Sequence, residues 1–134
     1  MGFGGDRQTV VAIGFLATWW TGIFIGLTHA LVGLIHKGHR LMLRNVFKAI
    51  WITLVVAVLT GLFGLALGKF YFANMEADWW FPENLVDRKN FVAVGSMHNF
   101  SYLGGLIGLG VGIVFQIRWK AKEKSMPLSS EVKK

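Results

Sequence analysis

The sequence predicts an all-α fold, an integral membrane bundle of three helices with glycine-rich packing seams. Three observations predict it. Long apolar blocks alternate with short charged segments, small residues recur at helical spacing within each block, and proline is almost absent. Of the residues 54% are hydrophobic and 16% charged, too few charges to clothe a water-soluble domain of 134 residues.

The first block, Thr9–Ile35, runs without a charge. It is longer than the apolar stretch of a signal peptide, has no basic flank before it and no small-residue cleavage site soon after, and is expected to be a retained helix. The second block is Ala49–Gly68, prolonged by Lys69, Phe70 and Tyr71. The third is Phe91–Ile117. Each meets the roughly 20 residues that carry a helix across about 30 Å of hydrocarbon at 1.5 Å per residue. Residues 1–121 are therefore expected to form one membrane domain with spans at 9–35, 49–71 and 91–117 and an outer loop at 72–90. Residues 122–134 are expected to be a flexible basic tail.

The net charge of +7 sits beside the apolar blocks, which points to bilayer anchoring and away from nucleic acid. The first loop holds Lys37, Arg40, Arg44 and Lys48, and the tail holds Arg118, Lys120, Lys122, Lys124, Lys133 and Lys134. With three spans these two segments share a side, and basic residues at span ends stay cytoplasmic. The amino terminus and the 72–90 loop, with Glu76, Asp78, Glu83 and Asp87, are then expected in the periplasm. Trp79, Trp80 and Trp119 read as anchors in the membrane interface.

Small residues at a spacing of four form a seam in every span, in the manner of a glycine zipper. The third span has Gly104, Gly108 and Gly112, with Gly105 widening the face. The first has Gly22, Gly26 and Ala30, with Gly33 one turn on. The second has Ala57 and Gly61, then Gly64 and Gly68. In lipid, helices associate by close van der Waals contact, and small residues permit it. The same seams serve packing within one chain or between copies.

Two histidines lie within spans. Steps of three and four place His29 with Gly22, Gly26 and Gly33, and place His98 with Ser101, Gly105, Gly108 and Gly112, so both are expected on packing seams. Ionisable groups in spans are functional candidates for haem or metal ligation or proton relay, and the bland alternative is a neutral histidine hydrogen-bonded across helices. Asn99, Ser101 and Tyr102 complete a polar patch around His98. His29 is expected roughly 9 Å inside one face and His98 roughly 10 Å inside the other, so a single chain does not clamp one haem between them. His36 and His39, beside Lys37 and Arg40, read as a solvated cluster.

The segment His29-x3-Gly33-x2-His36 resembles the haem-bearing helix of the membrane anchor subunits of succinate dehydrogenase, which also have three spans. That resemblance implies a haem b or quinone site. It departs from the family in having Ile35 where an arginine usually stands. Met97-His98-Asn99-Phe100-Ser101-Tyr102-Leu103-Gly104-Gly105, following Trp79-Trp80-Phe81-Pro82, is similar to small bacterial three-helix inner-membrane proteins carrying WWxP and MHNFSYLGGL. That likeness implies a bacterial inner membrane and brings no activity with it.

With no cysteine, disulfides, thiolate metal sites and thiol catalysis are excluded. No phosphate loop, nucleophile elbow, HExxH or intramembrane carboxylate pair occurs. No catalytic residue and no metal site is expected. The leading expectation is a non-enzymatic membrane subunit that meets the bilayer, copies of itself or other subunits. The alternatives are a haem b or quinone-binding anchor of an electron-transfer complex and a small oligomeric channel.

Overall fold

The computed structural model describes residues 6–75, 81 and 85–125, giving backbone alone for 6–11, 13–15 and 17. Three helices account for nearly all of them: α1 (Asp6–Gly33), α2 (His39–Phe70) and α3 (Arg88–Ser125), with a short 3-10 turn at Phe72–Asn74. Helices α1, α2 and α3 contain no proline, so no backbone donor is lost inside them. Helix α2 together with the short turn after it, and helix α3, are each long and apolar enough to cross a bilayer.

Helices α2 and α3 outrun the cores of their apolar blocks, whereas α1 stops at Gly33, short of Ile35. Helix α2 starts at His39 and carries Arg40, Arg44 and Lys48 on its first turns, while α3 continues through Lys122–Ser125, the stretch expected to begin a flexible tail. The tail residues 126–134 and the anchors Trp79 and Trp80 lie outside the described residues.

Local chemistry sets the ends. Between α1 and α2, Gly38 takes φ +94°, a left-handed conformation open to glycine at no steric cost, and its carbonyl accepts the first turn's bond from Met42 N–H at 3.1 Å. At the start of α3, Asp87 Oδ1 accepts from Asn90 N–H at 3.0 Å, an N-cap of the ordinary aspartate kind.

Helices α2 and α3 run antiparallel and pack along most of their length. The glycines fix the register. A Cβ built on Gly68 would stand 2.7 Å from Ala93 Cα, one on Gly104 2.9 Å from Ala57 Cα, one on Gly108 2.8 Å from Thr53 Cα, and one on Gly112 3.1 Å from the Ala49 carbonyl oxygen. Each turn up α3 thus meets one turn down α2, with backbone against backbone. Gly61 and Gly64 receive Ser101 and Phe100 in the same manner. The seams of the second and third blocks are used within the chain.

The seam of α1 behaves differently. Gly33 is buried against Val46 and Met42, but a Cβ on Gly22 or Gly26 would meet nothing within 4 Å. A Cβ built on Gly105 would meet the tip of Ile25 at 3.8 Å, so α1 approaches α3 there through a side chain, and among the described residues the expected close approach at Gly22 and Gly26 does not occur.

The distribution of side chains is inside out relative to a water-soluble domain. The largest fully buried side chains are His29, Gln116 and Asn45, whereas Trp51, Phe47, Leu59, Leu106 and Phe24 all stand exposed. The buried apolar set is small: Val46, Ala49, Val92 and Ala93.

Gly108 and Gly110 give a paired test. Gly108→Ala forces its methyl onto the α2 backbone and is expected to destabilise by about 1–3 kcal/mol, as overpacking does. Gly110, with nothing within 4 Å of its Cβ position, is expected to accept alanine with no loss. Thermal melts of the two variants in detergent check this; equal melts for both would mean that the backbones do not touch.

Candidate functional site

The three helices meet around a column of buried polar side chains near the end where α1 passes into α2. It has two storeys, each built from one residue group per helix: His29, Thr53 and Gln116, then His36, Asn45 and Glu123. Two helical turns separate the storeys on α3, and on the parallel α1 side His36 lies in the turn just past the helix end at Gly33.

The inner storey is ordered by a chain of donors. The Thr53 hydroxyl donates to the Ala49 carbonyl at 3.0 Å, a bond back into its own helix. Its oxygen is then the acceptor for His29 Nε2–H at 2.8 Å. That leaves His29 Nδ1 as the acceptor for the Gln116 side-chain amide at 3.1 Å. This chain specifies a neutral imidazole protonated on Nε2. Glycine makes the space: a Cβ on Gly112 would lie 2.6 Å from His29 Cε1.

His29 sits at the meeting point of the three helices. The ring is wholly buried and both of its nitrogens are engaged by side chains of the other two helices, so neither presents a lone pair to iron. The residue is a three-helix tie.

The outer storey corrects a second expectation. His36 was expected among solvated cations, yet its side chain is fully buried and Nδ1–H donates to Glu123 Oε1 at 3.0 Å. Asn45 Nδ2 also reaches Glu123 Oε1, at 3.5 Å, and Lys120 Nζ lies 3.7 Å from Oε2. His36 is buried because α1 ends in a tight turn, with His36 N–H donating to the Gly33 carbonyl at 3.0 Å, that swings the ring back over the ends of α2 and α3. His39 stays exposed, as expected.

Among the described residues His36 Nε2, Asn45 Oδ1 and Gln116 Oε1 are buried polar atoms that find no partner. As a proton path the column ends at Thr53, whose hydroxyl is committed to a helix carbonyl. Among the described residues no three histidine or acidic side chains gather to hold a metal ion.

His98 is placed otherwise than expected. It is exposed, its ring set edge-on to Tyr102 with centroids 4.5 Å apart, and Asn99 is exposed beside it. At 3.6 residues per turn, position 98 stands about a quarter turn round α3 from Gly108, on the flank that faces α1 lower down. Counting steps of three and four swept both flanks into one face. Ser101 does face α2, against Gly61, and Gly105 faces α1. Trp119 sits at the charged end, with Lys48 Nζ 5.3 Å and Arg44 Cζ 6.0 Å from its ring centre.

Thr53, Asn45, Gln116 and Glu123 were not singled out from the sequence. A signal existed for one of them: Gln116 continues the stripe Gly108, Gly112 at the same spacing and is the one amide on it. Comparison with protein-family models, curated proteins and solved structures finds no match for this chain.

The inner storey predicts energetic coupling. His29→Ala and Gln116→Leu each leave a buried polar partner unsatisfied, so each is expected to destabilise by about 1–3 kcal/mol. The double variant is expected to lose less than the two combined, with a coupling of about 0.5–2 kcal/mol. A double-mutant cycle from thermal melts measures it, and strict additivity would show that the two side chains do not bond.

Proposed function

We propose that the chain is a non-enzymatic, multi-pass subunit of a bacterial inner membrane, with a periplasmic amino terminus and a cytoplasmic carboxyl terminus. It works by packing into a homo-oligomer or into a larger complex of the bioenergetic kind. The observation that carries this reading is the exposed pair His98 and Asn99. They lie roughly 10 Å along α3 from Phe91, where the apolar block begins, at a depth where polar groups have little water to pair with. A neighbouring subunit that offers hydrogen bonds would relieve them. The open Gly22–Gly26 strip of α1 supplies a place for another backbone to approach. Orientation rests on the basic residues gathered at one end and the acidic residues of the 72–90 loop.

The polar column supports a packing role without chemistry. It ties three helices and presents no nucleophile, base and oxyanion donors around a common space.

His98→Leu together with Asn99→Leu is expected to leave the melt of the isolated chain within about 0.5 kcal/mol, since surface positions weigh little. Assembly, followed by size in mild detergent and by co-purification from native membrane, is expected to be lost. Assembly unchanged in the double variant would overturn the reading. A periplasm-dependent reporter is expected to be active within 72–90 and silent after Lys120, and the purified chain is expected to show no Soret band.

A further inference from the structure

On the outside of α3, at its charged end, lies a groove of about 520 Å³. Val111, Val114 and Phe115 form its floor, and Arg118, Trp119 and Lys122 its rim. Helix α2 adds two further cations, Arg44 and Lys48, whose charged ends lie over the Trp119 ring. We propose that this groove is a binding site for one anionic phospholipid of the cytoplasmic leaflet. The acyl chain lies along the apolar floor and the phosphate sits among the four cations. The inference rests on the membrane reading above and adds a ligand class to it.

The charge pattern argues for an anion. Arg118 and Lys122 are four apart on α3, and Arg44 and Lys48 are four apart on α2, so each helix sets like charges one turn apart on one face. Such pairs repel when nothing lies between them. Among the described residues none of the four has a carboxylate partner. Glu123, the acid at this end among the described residues, is engaged by His36 and Lys120. Trp119 gives the two α2 cations a common surface and holds them near the rim.

The order of the lining argues for a lipid over free phosphate. Along α3 the groove is apolar first and cationic afterwards, with Val111 and Arg118 roughly 10 Å apart along the axis. An acyl chain below a phosphate presents that same order to a helix crossing the membrane. Inorganic phosphate would use the rim and leave the floor idle. Basic pockets on the cytoplasmic side of membrane helices are the usual form of such lipid sites.

The test uses the full chain, reconstituted in vesicles of phosphatidylcholine alone or with one lipid in ten replaced by phosphatidylglycerol, then extracted in neutral detergent. Lipids retained per chain are counted by native mass spectrometry. The expected result is selective retention of phosphatidylglycerol. Arg118→Gln with Lys122→Gln is expected to weaken that selectivity by roughly thirtyfold, at about 1 kcal/mol for each of the two basic residues. The control pair Lys37→Gln and Arg40→Gln, at the same end but off the groove, is expected to keep it. Equal retention of both lipids by the unaltered chain, or equal loss in the control pair, overturns the site while leaving the membrane reading intact. A melt raised as much by inorganic phosphate as by phosphatidylglycerol also overturns it. A chain that enters neither kind of vesicle overturns the membrane reading and the site with it.

Discussion

Two helix backbones approach to contact distance where one of them lacks a side chain, and every other feature of this protein is arranged around that condition. Gly104, Gly108 and Gly112 of α3 and Gly61, Gly64 and Gly68 of α2 alternate in supplying the missing Cβ. The contact is dispersion and shape, with little hydrophobic drive if the surroundings are lipid. Its quality therefore depends on separation, and a single methyl at Gly108 or Gly68 would strike a Cα of the opposite helix.

The polar column depends on the same condition. The ring of His29 fits beside Gly112 because that residue has no side chain, and Gln116 reaches His29 because α3 is close enough for a short amide arm. Burying a histidine, a glutamine and an asparagine is costly unless they are paired. Here the pairing is supplied from three different helices at once, so the groups that are expensive to bury also hold α1 to the α2–α3 pair. Among the described side chains of α1, Gly33 also packs against Val46 and Ile25 reaches toward Gly105.

Much of the helical framework was legible in the sequence, because apolar block length and the spacing of glycines are local properties. The seams of the second and third blocks were readable for the same reason. The partner of each seam was not, since spacing says which residues share a face but not what lies opposite. In the sequence Gly22 and Gly26 look no different from Gly108 and Gly112, yet among the described residues a Cβ at the first pair meets nothing and one at the second meets α2 or His29. The histidines show the limit most clearly. His29 was read correctly as facing a seam. His98 was read onto a seam by the same arithmetic and lies on the exposed flank, because a span of four helical steps covers a wide arc. His36 was taken for a surface group, since its burial depends on a turn of the chain and on Glu123, 87 residues away. Thr53 and Gln116 become meaningful only when they meet His29, and Asn45 only when it meets His36 and Glu123.

A run of glycines four apart has a weakness that straight packing does not reveal. Slide α3 along α2 by one turn, about 5.4 Å, and most glycines again meet backbone, so the van der Waals seam resembles a rack with several equivalent notches. The column removes that degeneracy. A one-turn slip would carry Gln116 away from His29 and Glu123 away from His36 and Asn45, stranding charge and amide groups in a tightly closed space. The polar side chains thus serve as a detent: the glycines decide how close the helices come, and the buried histidines decide which notch they occupy.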